Sequence, residues 1–303
     1  MSEQTESQSI ESQAWTIQRV LQWSTDFLRQ RGFDTARLDC ELLLAHGLNL
    51  SRIQLYTNFD KPMLPEERNK FRAMLQRRVT GEPVAYLLGY KEFYGRRFDV
   101  DSAVLIPRPE TEHLVEEALA CANKIALAAP RILEIGVGSG CLLVSLACEI
   151  PAATIEGWDI SAEALVVAAR NVATHVVQDR VSLLCCDALA EKSWEVAQQF
   201  DLLVANPPYI SIDDQAVQAN VKKFEPAAAL FAGDDGLVFY RQIAAWAGKV
   251  LVPDSGMICL EIGKDQQAMI EQIFADHGWT LANQVRDYSG IVRVLTFKAG
   301  VRL

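Results

Sequence analysis

Four consecutive residues, Asn206-Pro207-Pro208-Tyr209, have types and a spacing suited to binding a planar NH2 group. Each proline fixes its own φ, lacks an N–H and pushes the preceding residue toward extended geometry. The tetrad therefore predicts a stiff rim whose acceptors are the Asn206 side-chain oxygen and the Pro207 carbonyl, with the flat face of Tyr209 beside them. A proline-rich turn after a strand, with an Asn cap, is the alternative interpretation.

The chemistry predicted for this rim is attack by a conjugated nitrogen. Such a nitrogen is a poor nucleophile because its lone pair is delocalised, which gives a peptide amide its rotation barrier of roughly 18–20 kcal/mol. Two neutral acceptors can each bind one N–H as positive charge develops, and a fixed dipole of this kind contributes about 3–4 kcal/mol. No strong base is needed. We predict Asn206 and Pro207 as catalytic, and Asn206, Pro207, Pro208 and Tyr209 as substrate-binding.

A glycine-rich turn, Gly136-Val137-Gly138-Ser139-Gly140, follows a predicted strand and leads directly into a predicted helix. Glycines let the backbone turn sharply and approach a ligand closely. The pattern is G-x-G-x-G rather than the dinucleotide G-x-G-x-x-G, and the acidic Glu134 at its entrance favours a cationic ligand such as a sulfonium cofactor over a pyrophosphate. A tight turn without a ligand, with Glu134 bonded to local backbone amides, is the alternative.

Two aspartates, Asp159 and Asp187, follow the next two predicted strands. A carboxylate at the end of the second strand can accept hydrogen bonds from ribose hydroxyls, and Ser161 can cap the following helix, which would leave Asp159 free. Asp187 could accept from an adenine amino group. A helix cap for Asp159 and a solvated loop for Asp187 are the alternatives.

Alternating strands and helices after Pro130 predict an α/β fold with a doubly wound, mostly parallel sheet. An antiparallel pair, 281–285 and 292–297, is expected to close one edge. Earlier in the chain, helical periodicity without strands indicates a small helical domain. Two β-like runs, 85–89 and 93–100, suggest a hairpin between the two parts. The predicted divisions are a disordered tail, 1–13; a helical substrate-recognition domain, 14–84; a β-hairpin linker, 85–106; and a catalytic domain, 107–303. The strands predicted before the edge pair are 132–136, 154–160, 181–186, 202–205 and 257–262.

The composition of the chain argues against nucleic-acid binding and membrane association. The 303-residue chain carries a formal net charge of −10, whereas a duplex-binding protein usually has a basic face. No apolar run approaches the roughly 18–20 residues that span a bilayer, and no secretory signal is evident. The seven cysteines lack metal-like spacing, which favours reduced thiols and a cytoplasmic location. We therefore expect no membrane association and no direct nucleic-acid binding.

Further motifs carry a resemblance to a known family. They are Arg78-Val79-Thr80-Gly81-Glu82-Pro83, the run Ile106-Pro107-Arg108-Pro109-Glu110-Thr111-Glu112, Phe224-Glu225-Pro226 and Arg286-Asp287-Tyr288-Ser289-Gly290. With the tetrad, the chain from about Trp15 onward resembles the bacterial peptide chain release factor glutamine N5-methyltransferases, the PrmC/HemK family.

The resemblance implies a class I methyltransferase fold, which is a Rossmann-like seven-stranded sheet, with S-adenosylmethionine as cofactor. It also implies class 1 release factors as protein substrates, methylated on the glutamine of their Gly-Gly-Gln motif. Ala188 stands where some relatives have an aromatic residue. The Ile106–Glu112 run is expected either to contact cofactor or substrate or to start a helix that docks two domains. The predicted cofactor-binding residues are Glu134, Gly136, Val137, Gly138, Ser139, Gly140, Asp159, Asp187, Ala188 and Asn206.

Three alternative functions remain open at this point. An adenine N6-methyltransferase acting on nucleic acid would use the same tetrad on an extruded base. A glutamine methyltransferase of a ribosomal protein would differ mainly in the Ile106–Glu112 run. A cofactor-binding scaffold without catalysis is disfavoured by the intact tetrad.

Overall fold

The computed structural model describes residues 15–125, 128–195, 198–215 and 218–300. The predicted tail, 1–13, lies outside these ranges. The chain divides into two compact units, one ending at Gly89 and the other starting at Tyr90. Within the described ranges, no helix is both long and apolar enough to cross a bilayer.

The first unit is helical, as its periodicity predicts. Thr16 caps the first helix by accepting from the Arg19 amide, and Ser51 and Gln54 form a capping box on the third. The second helix continues through Gly47 to Leu48, and Asn49 closes it in the left-handed conformation. The helices are α1, Ile17–Arg29; α2, Ala36–Leu48; α3, Arg52–Thr57; α4, Pro65–Val79; and α5, Val84–Leu88.

The β-like run predicted at 85–89 is wrong, because α5 occupies it. Pro83 precedes this helix in extended conformation, and Gly89 ends it with a φ of 77°. Leu87 is buried in the apolar core of the helical unit. A short apolar run fits a buried helix or a strand equally well by periodicity, and here the burial of Leu87 decides the outcome. The predicted linker, 85–106, therefore begins with a helix.

A β-hairpin opens the second unit. Strands β1, Tyr90–Phe93, and β2, Arg96–Asp99, pair antiparallel across a two-residue turn. Tyr94 and Gly95 have φ angles of 48° and 69°, as a type I′ turn requires. The predicted hairpin is thus present, although it starts at Tyr90.

A seven-stranded sheet forms the centre of the second unit, and every predicted strand is found within two residues of its expected ends. Its order is β5-β4-β3-β6-β7-β9-β8, parallel except for β9, which is antiparallel to both neighbours. The strands are β3, Arg131–Ile135; β4, Thr154–Asp159; β5, Val181–Cys185; β6, Leu202–Ala205; β7, Met257–Glu261; β8, Trp279–Arg286; and β9, Val292–Ala299. The helices are α6, Glu112–Ile125; α7, Cys141–Glu149; α8, Ala162–Thr174; α9, Ala219–Phe224; α10, Val238–Val250; and α11, Gln267–Asp276.

The order of the sheet fixes where a ligand can bind. From β3 the chain moves outward to β4 and β5, and it then returns to place β6 on the other side of β3. Ligands of such sheets bind in the crevice at the carboxyl ends of the strands where this order reverses. Ile135 lies opposite Ala205 in the register of β3 and β6, so the loops after these two strands start side by side.

A buried asparagine ties the glycine-rich turn to its surroundings. Asn171, on α8, accepts from the Asp99 amide at 2.7 Å and donates to the Asp99 and Ser139 carbonyls at 3.0 and 2.8 Å. Its side chain is fully buried. Leaving a polar group of this buried side chain without a hydrogen bond would cost stability, so Asn171 holds the hairpin and the turn in one arrangement.

Candidate active site

A cavity of about 410 Å³ lies where β3, β4, β5 and β6 end. This volume is within the roughly 300–1,000 Å³ of small-molecule and cofactor sites. Loops from four strands contribute to its wall, so residues far apart in the sequence converge. The predicted site residues that line it are Glu134, Gly136, Val137, Gly138, Ser139, Asp159, Asp187, Ala188, Asn206, Pro207 and Pro208.

Two predicted residues, Gly140 and Tyr209, are not part of the wall. Gly140 starts α7 with a φ of 77°, and a Cβ there would lie 3.3 Å from the Cβ of Ala168. Its role in the structure is therefore close packing of the turn against α8. Tyr209 packs against the apolar core, and burial raises the pKa of its phenol to about 12.

The glycine-rich turn is bonded to β4 and lies against the tetrad. The Gly136 amide donates to the Trp158 carbonyl at 2.8 Å, and the Gly138 amide donates to Asp159 Oδ2 at 2.8 Å. A Cβ on Gly136, whose φ is 78°, would lie 3.8 Å from the Asn206 carbonyl oxygen. The turn and the start of the tetrad are thus neighbours across the cavity floor.

Both carboxylate oxygens of Asp159 already accept a backbone hydrogen bond. Besides Gly138, the Ser161 amide donates to Oδ1 at 2.9 Å. Ser161 caps α8 as expected by accepting from the Ala164 amide at 3.0 Å, but Asp159 is not thereby left free. A carboxylate has about four acceptor sites, so Asp159 retains capacity for ligand hydroxyls while its orientation is fixed by the backbone.

The loop after β5 presents one exposed carboxylate, and the next residue of the loop is buried and hydrogen-bonded. Asp187 is exposed and accepts from the Leu189 amide through Oδ1 at 2.9 Å. Ala188 is buried, and its carbonyl accepts from Trp194 Nε1 at 2.9 Å. The Trp194 ring in turn packs edge-on against Trp158, with ring centroids 5.6 Å apart.

Glu134 is a buried acid with unused acceptor capacity. Only 2% of the residue is exposed, and among the described residues its Oε2 has no hydrogen-bond partner. Burial raises the pKa of this carboxyl well above its ordinary value; the Leu143 amide lowers it and the charge of Asp159 raises it further. A buried carboxyl with one unpartnered oxygen, on a cavity wall, suits an N–H donor or a positive charge on a ligand.

The tetrad begins immediately after β6. Asn206 is half-buried on the cavity wall, Pro207 is buried and Pro208 is half-buried. Asn206 Nδ2 donates to the Thr111 hydroxyl oxygen at 3.0 Å. The asparagine therefore faces the cavity, and its amide is held from outside the tetrad.

The end of the tetrad is held by close contacts with two later segments. Gln266 Nε2 donates to the Tyr209 carbonyl at 3.0 Å. A Cβ on Gly236 would lie only 2.3 Å from that carbonyl oxygen, and a Cβ on Gly263 would lie 2.9 Å from Tyr209 Cδ2. The Tyr209 carbonyl fits here because position 236 is glycine, and its ring fits because position 263 is glycine.

A polar cluster behind the tetrad was not predicted as part of the site. Glu261, the last residue of β7, is 2% exposed, and its Oε2 has no partner among the described residues. Burial raises the pKa of its carboxyl to about 7, although a hydrogen bond from Thr111 and the charge of Arg293 lower it. Thr111 lies between Glu261 and Asn206. In the sequence, Thr111 and Asn206 are 95 positions apart. Periodicity gives no signal for such a contact.

Apolar residues of the wall were also missed. Phe231 and Phe239 line the cavity, as do Leu142, Pro107 and Pro226. In the sequence, nothing distinguishes these side chains from those of an ordinary core. The only signal was indirect, since Pro107 and Pro226 lie within motifs that carry the family resemblance.

Two family models together match most of the chain. A model of the PrmC N-terminal domain matches residues 19–89, and the methyltransferase small domain matches residues 97–239. Among solved structures, the hMettl16 catalytic domain in complex with an RNA hairpin has a TM-score of 0.50 at 15% identity. That alignment covers 66% of this chain and 74% of the other. A likeness at this identity concerns the fold alone.

Curated relatives match over nearly their full length. The release factor glutamine methyltransferase of Geobacter sulfurreducens is 42% identical, covering 94% of this chain and 98% of the relative. The protein of the same name from Rhodopirellula baltica is 38% identical, covering 94% and 96%.

Replacing Gly236 by Ala should destabilise the protein more than replacing Gly233 by Ala. Both glycines have a similar positive φ, 73° and 70°, so the backbone strain is matched. Only at position 236 would the new Cβ meet the Tyr209 carbonyl. We expect the extra cost to be about 1–3 kcal/mol in the free energy of unfolding, measured by denaturant titration. Equal costs would show that the Tyr209 carbonyl is not held against Gly236.

Replacing Glu261 by Gln should change the dependence of stability on pH. The folded-state pKa of about 7 lies above the ordinary glutamate value of 4.5, so the wild type loses stability as pH rises through this interval. Gln cannot titrate. From pH 5 to pH 8 the variant should therefore gain about 2–3 kcal/mol relative to the wild type. Parallel stability curves over this range would contradict the raised pKa.

Proposed function

Because the chain belongs to the release factor glutamine methyltransferase family, we propose that it methylates a glutamine side-chain amide nitrogen, N5, in a protein. The substrate proposed is the Gly-Gly-Gln motif of class 1 peptide chain release factors, and the consequence is support of translation termination. One observation carries the proposal. The glycine-rich turn and the Asn206 tetrad meet at the wall of one cavity, with Gly136 beside the Asn206 carbonyl.

S-adenosylmethionine is the cofactor proposed for this cavity, where it would supply an electrophilic methyl group. The unpartnered Glu134 carboxyl fits a cofactor that carries a positive charge, and Asp159 has acceptor capacity for ribose hydroxyls. Asp187 retains Oδ2 for the adenine amino group. The neighbouring glycines leave room for a ligand close to the backbone.

The tetrad is proposed to bind the glutamine side chain. Asn206 Oδ1 and the Pro207 carbonyl would each accept one N–H of the substrate amide, Pro208 would complete the rim, and the Tyr209 ring would support it from the core side. As the nitrogen formed its bond to the methyl carbon and the carbon–sulfur bond of the donor broke, the nitrogen would become positively charged, and both acceptors would bind its hydrogens more strongly. This differential binding lowers the barrier. The charged nitrogen would then lose one of its two protons to water, which leaves a neutral N-methyl amide.

Several residues of the wall support the same reaction by excluding water. Phe231, Phe239 and Leu142 are apolar and line the cavity beside the polar groups. A dry wall strengthens the hydrogen bonds of the tetrad to the developing charge. It also protects the methyl donor from attack by water.

The substrate assignment can be tested with a methyl-labelled cofactor and three acceptors assayed in parallel. These are a class 1 release factor, a pool of ribosomal proteins and adenine-containing DNA. We expect label on the release factor, and loss of that label when its Gly-Gly-Gln glutamine is replaced by Ala. Label on ribosomal protein or DNA, with none on the release factor, would reject the proposed substrate.

Two substitutions should separate chemistry from cofactor binding. Asn206→Ala should reduce kcat by about 100-fold or more, because it removes a transition-state acceptor, while the Kd of the cofactor stays within about threefold. Asp159→Ala should instead raise the cofactor Kd by at least about tenfold. Single-turnover rates and isothermal titration measure the two effects. Equal loss of cofactor affinity in both variants would place Asn206 in the cofactor site rather than at the reacting nitrogen.

A further inference from the structure

The run Ile106–Glu112 has not been given a role by the proposed reaction, yet one of its residues contacts the tetrad. Thr111 is 4% exposed, and its hydroxyl oxygen accepts from Asn206 Nδ2 at 3.0 Å. The same hydroxyl also lowers the pKa of the buried carboxyl of Glu261, the last residue of β7. Thr111 thus connects the end of β7 to the first residue of the tetrad.

The run is fixed in place by two further carboxylates. Glu225, which is buried, forms an ion pair with Arg108 at 2.6 Å and accepts from the Ile106 amide at 3.2 Å. Glu112 accepts from the Tyr94 amide of the hairpin turn at 2.9 Å. With both sides of Thr111 anchored, the position of its hydroxyl is determined by the fold rather than by the tetrad.

The direction of the hydrogen bonds follows from counting protons. A threonine hydroxyl has one hydrogen to donate, whereas an ionised carboxylate can only accept. When the Thr111 hydroxyl directs its hydrogen toward the ionised Glu261 carboxyl, its oxygen can serve Asn206 only as an acceptor, as the 3.0 Å bond from Asn206 Nδ2 has it. The group of the Asn206 side chain that faces Thr111 must then be the NH2, and Oδ1 must be on the other side.

This orientation matters because the two ends of an asparagine amide have nearly the same shape but opposite polarity. A reversed Asn206 would present N–H donors toward a substrate that also offers N–H donors. Asn206 cannot select the right orientation by shape, so a partner with a fixed polarity has to do so.

We propose that Thr111 is a positioning residue for methyl transfer, and that with Glu261 behind it, it fixes the Asn206 amide with Oδ1 toward the substrate nitrogen. This inference rests on the proposed function. Thr111 acts through Asn206 and touches no reacting atom.

The test compares Thr111→Val, which keeps the shape and removes the hydroxyl, with Thr111→Ser, which keeps the hydroxyl. Assays are run at pH 8, above the Glu261 pKa of about 7. For Thr111→Val we expect kcat on the release factor to fall by about tenfold or more, with KM and cofactor Kd within about threefold. Thr111→Ser should stay within about twofold of the wild-type kcat. Thermal unfolding confirms that the variants are folded, and Thr111→Ala replaces Val if the latter is not.

A double-substitution cycle distinguishes a positioning chain from two separate effects on packing. Glu261→Gln should lower kcat in the wild-type background and have little further effect in the Thr111→Val background, because residues that act as one unit are not additive. If the kcat of the double variant fell by the product of the two single losses, the connection through Thr111 would be rejected. A folded Thr111→Val with wild-type kcat would reject the inference as a whole.

Assaying the wild-type protein in parallel distinguishes failure of the positioning role from failure of the proposed function. Wild-type methylation of the release factor with an unaffected Thr111→Val overturns only the positioning role. Absence of release factor methylation by the wild type overturns the proposed function, and the positioning role falls with it.

Discussion

The parallel pairing of β3 with β6 is the constraint on which the rest of the site depends. Because Ile135 and Ala205 are opposite each other, the loops that follow must leave the sheet at the same edge. The glycine-rich turn then lies beside the Asn206 carbonyl, and a Cβ on Gly136 would already be in contact with it. The remaining contacts of the cavity wall orient the turn and the tetrad that this pairing brings together.

Hydrogen bonds from neighbouring segments fix the orientation of the polar groups in the site. Asp159 is oriented by two backbone amides, the Tyr209 carbonyl by Gln266 and Asn206 by Thr111. Each bond is modest by itself, but a buried polar group that loses its partner is costly, so each group has one favourable arrangement. Glu134 differs in this respect, since one of its oxygens has no partner in the described part of the chain and is available to a ligand.

Local patterns predicted the sheet well and the chain's first β-like run poorly. The strand-and-helix alternation after Pro130 depends on long periodic segments, and all seven strands are found. The run 85–89 is short and apolar, and its helical form depends on the burial of Leu87 among helices distant in sequence. Tyr209 is predicted by its motif to bind substrate, and the packing of its ring against the core likewise depends on segments distant in sequence.

The sequence by itself determined which groups can do chemistry: the stiff acceptors of Asn206 and Pro207, the turn that only glycines permit, and acids after successive strands. These are properties of residue types and near neighbours, which φ restrictions and side-chain chemistry dictate locally. Only the tertiary structure decided that Thr111 and Glu261 lie behind Asn206, and that Glu134 is buried with one oxygen that no described residue bonds. Such facts depend on contacts between distant segments and on exclusion of water, and neither is encoded in local spacing.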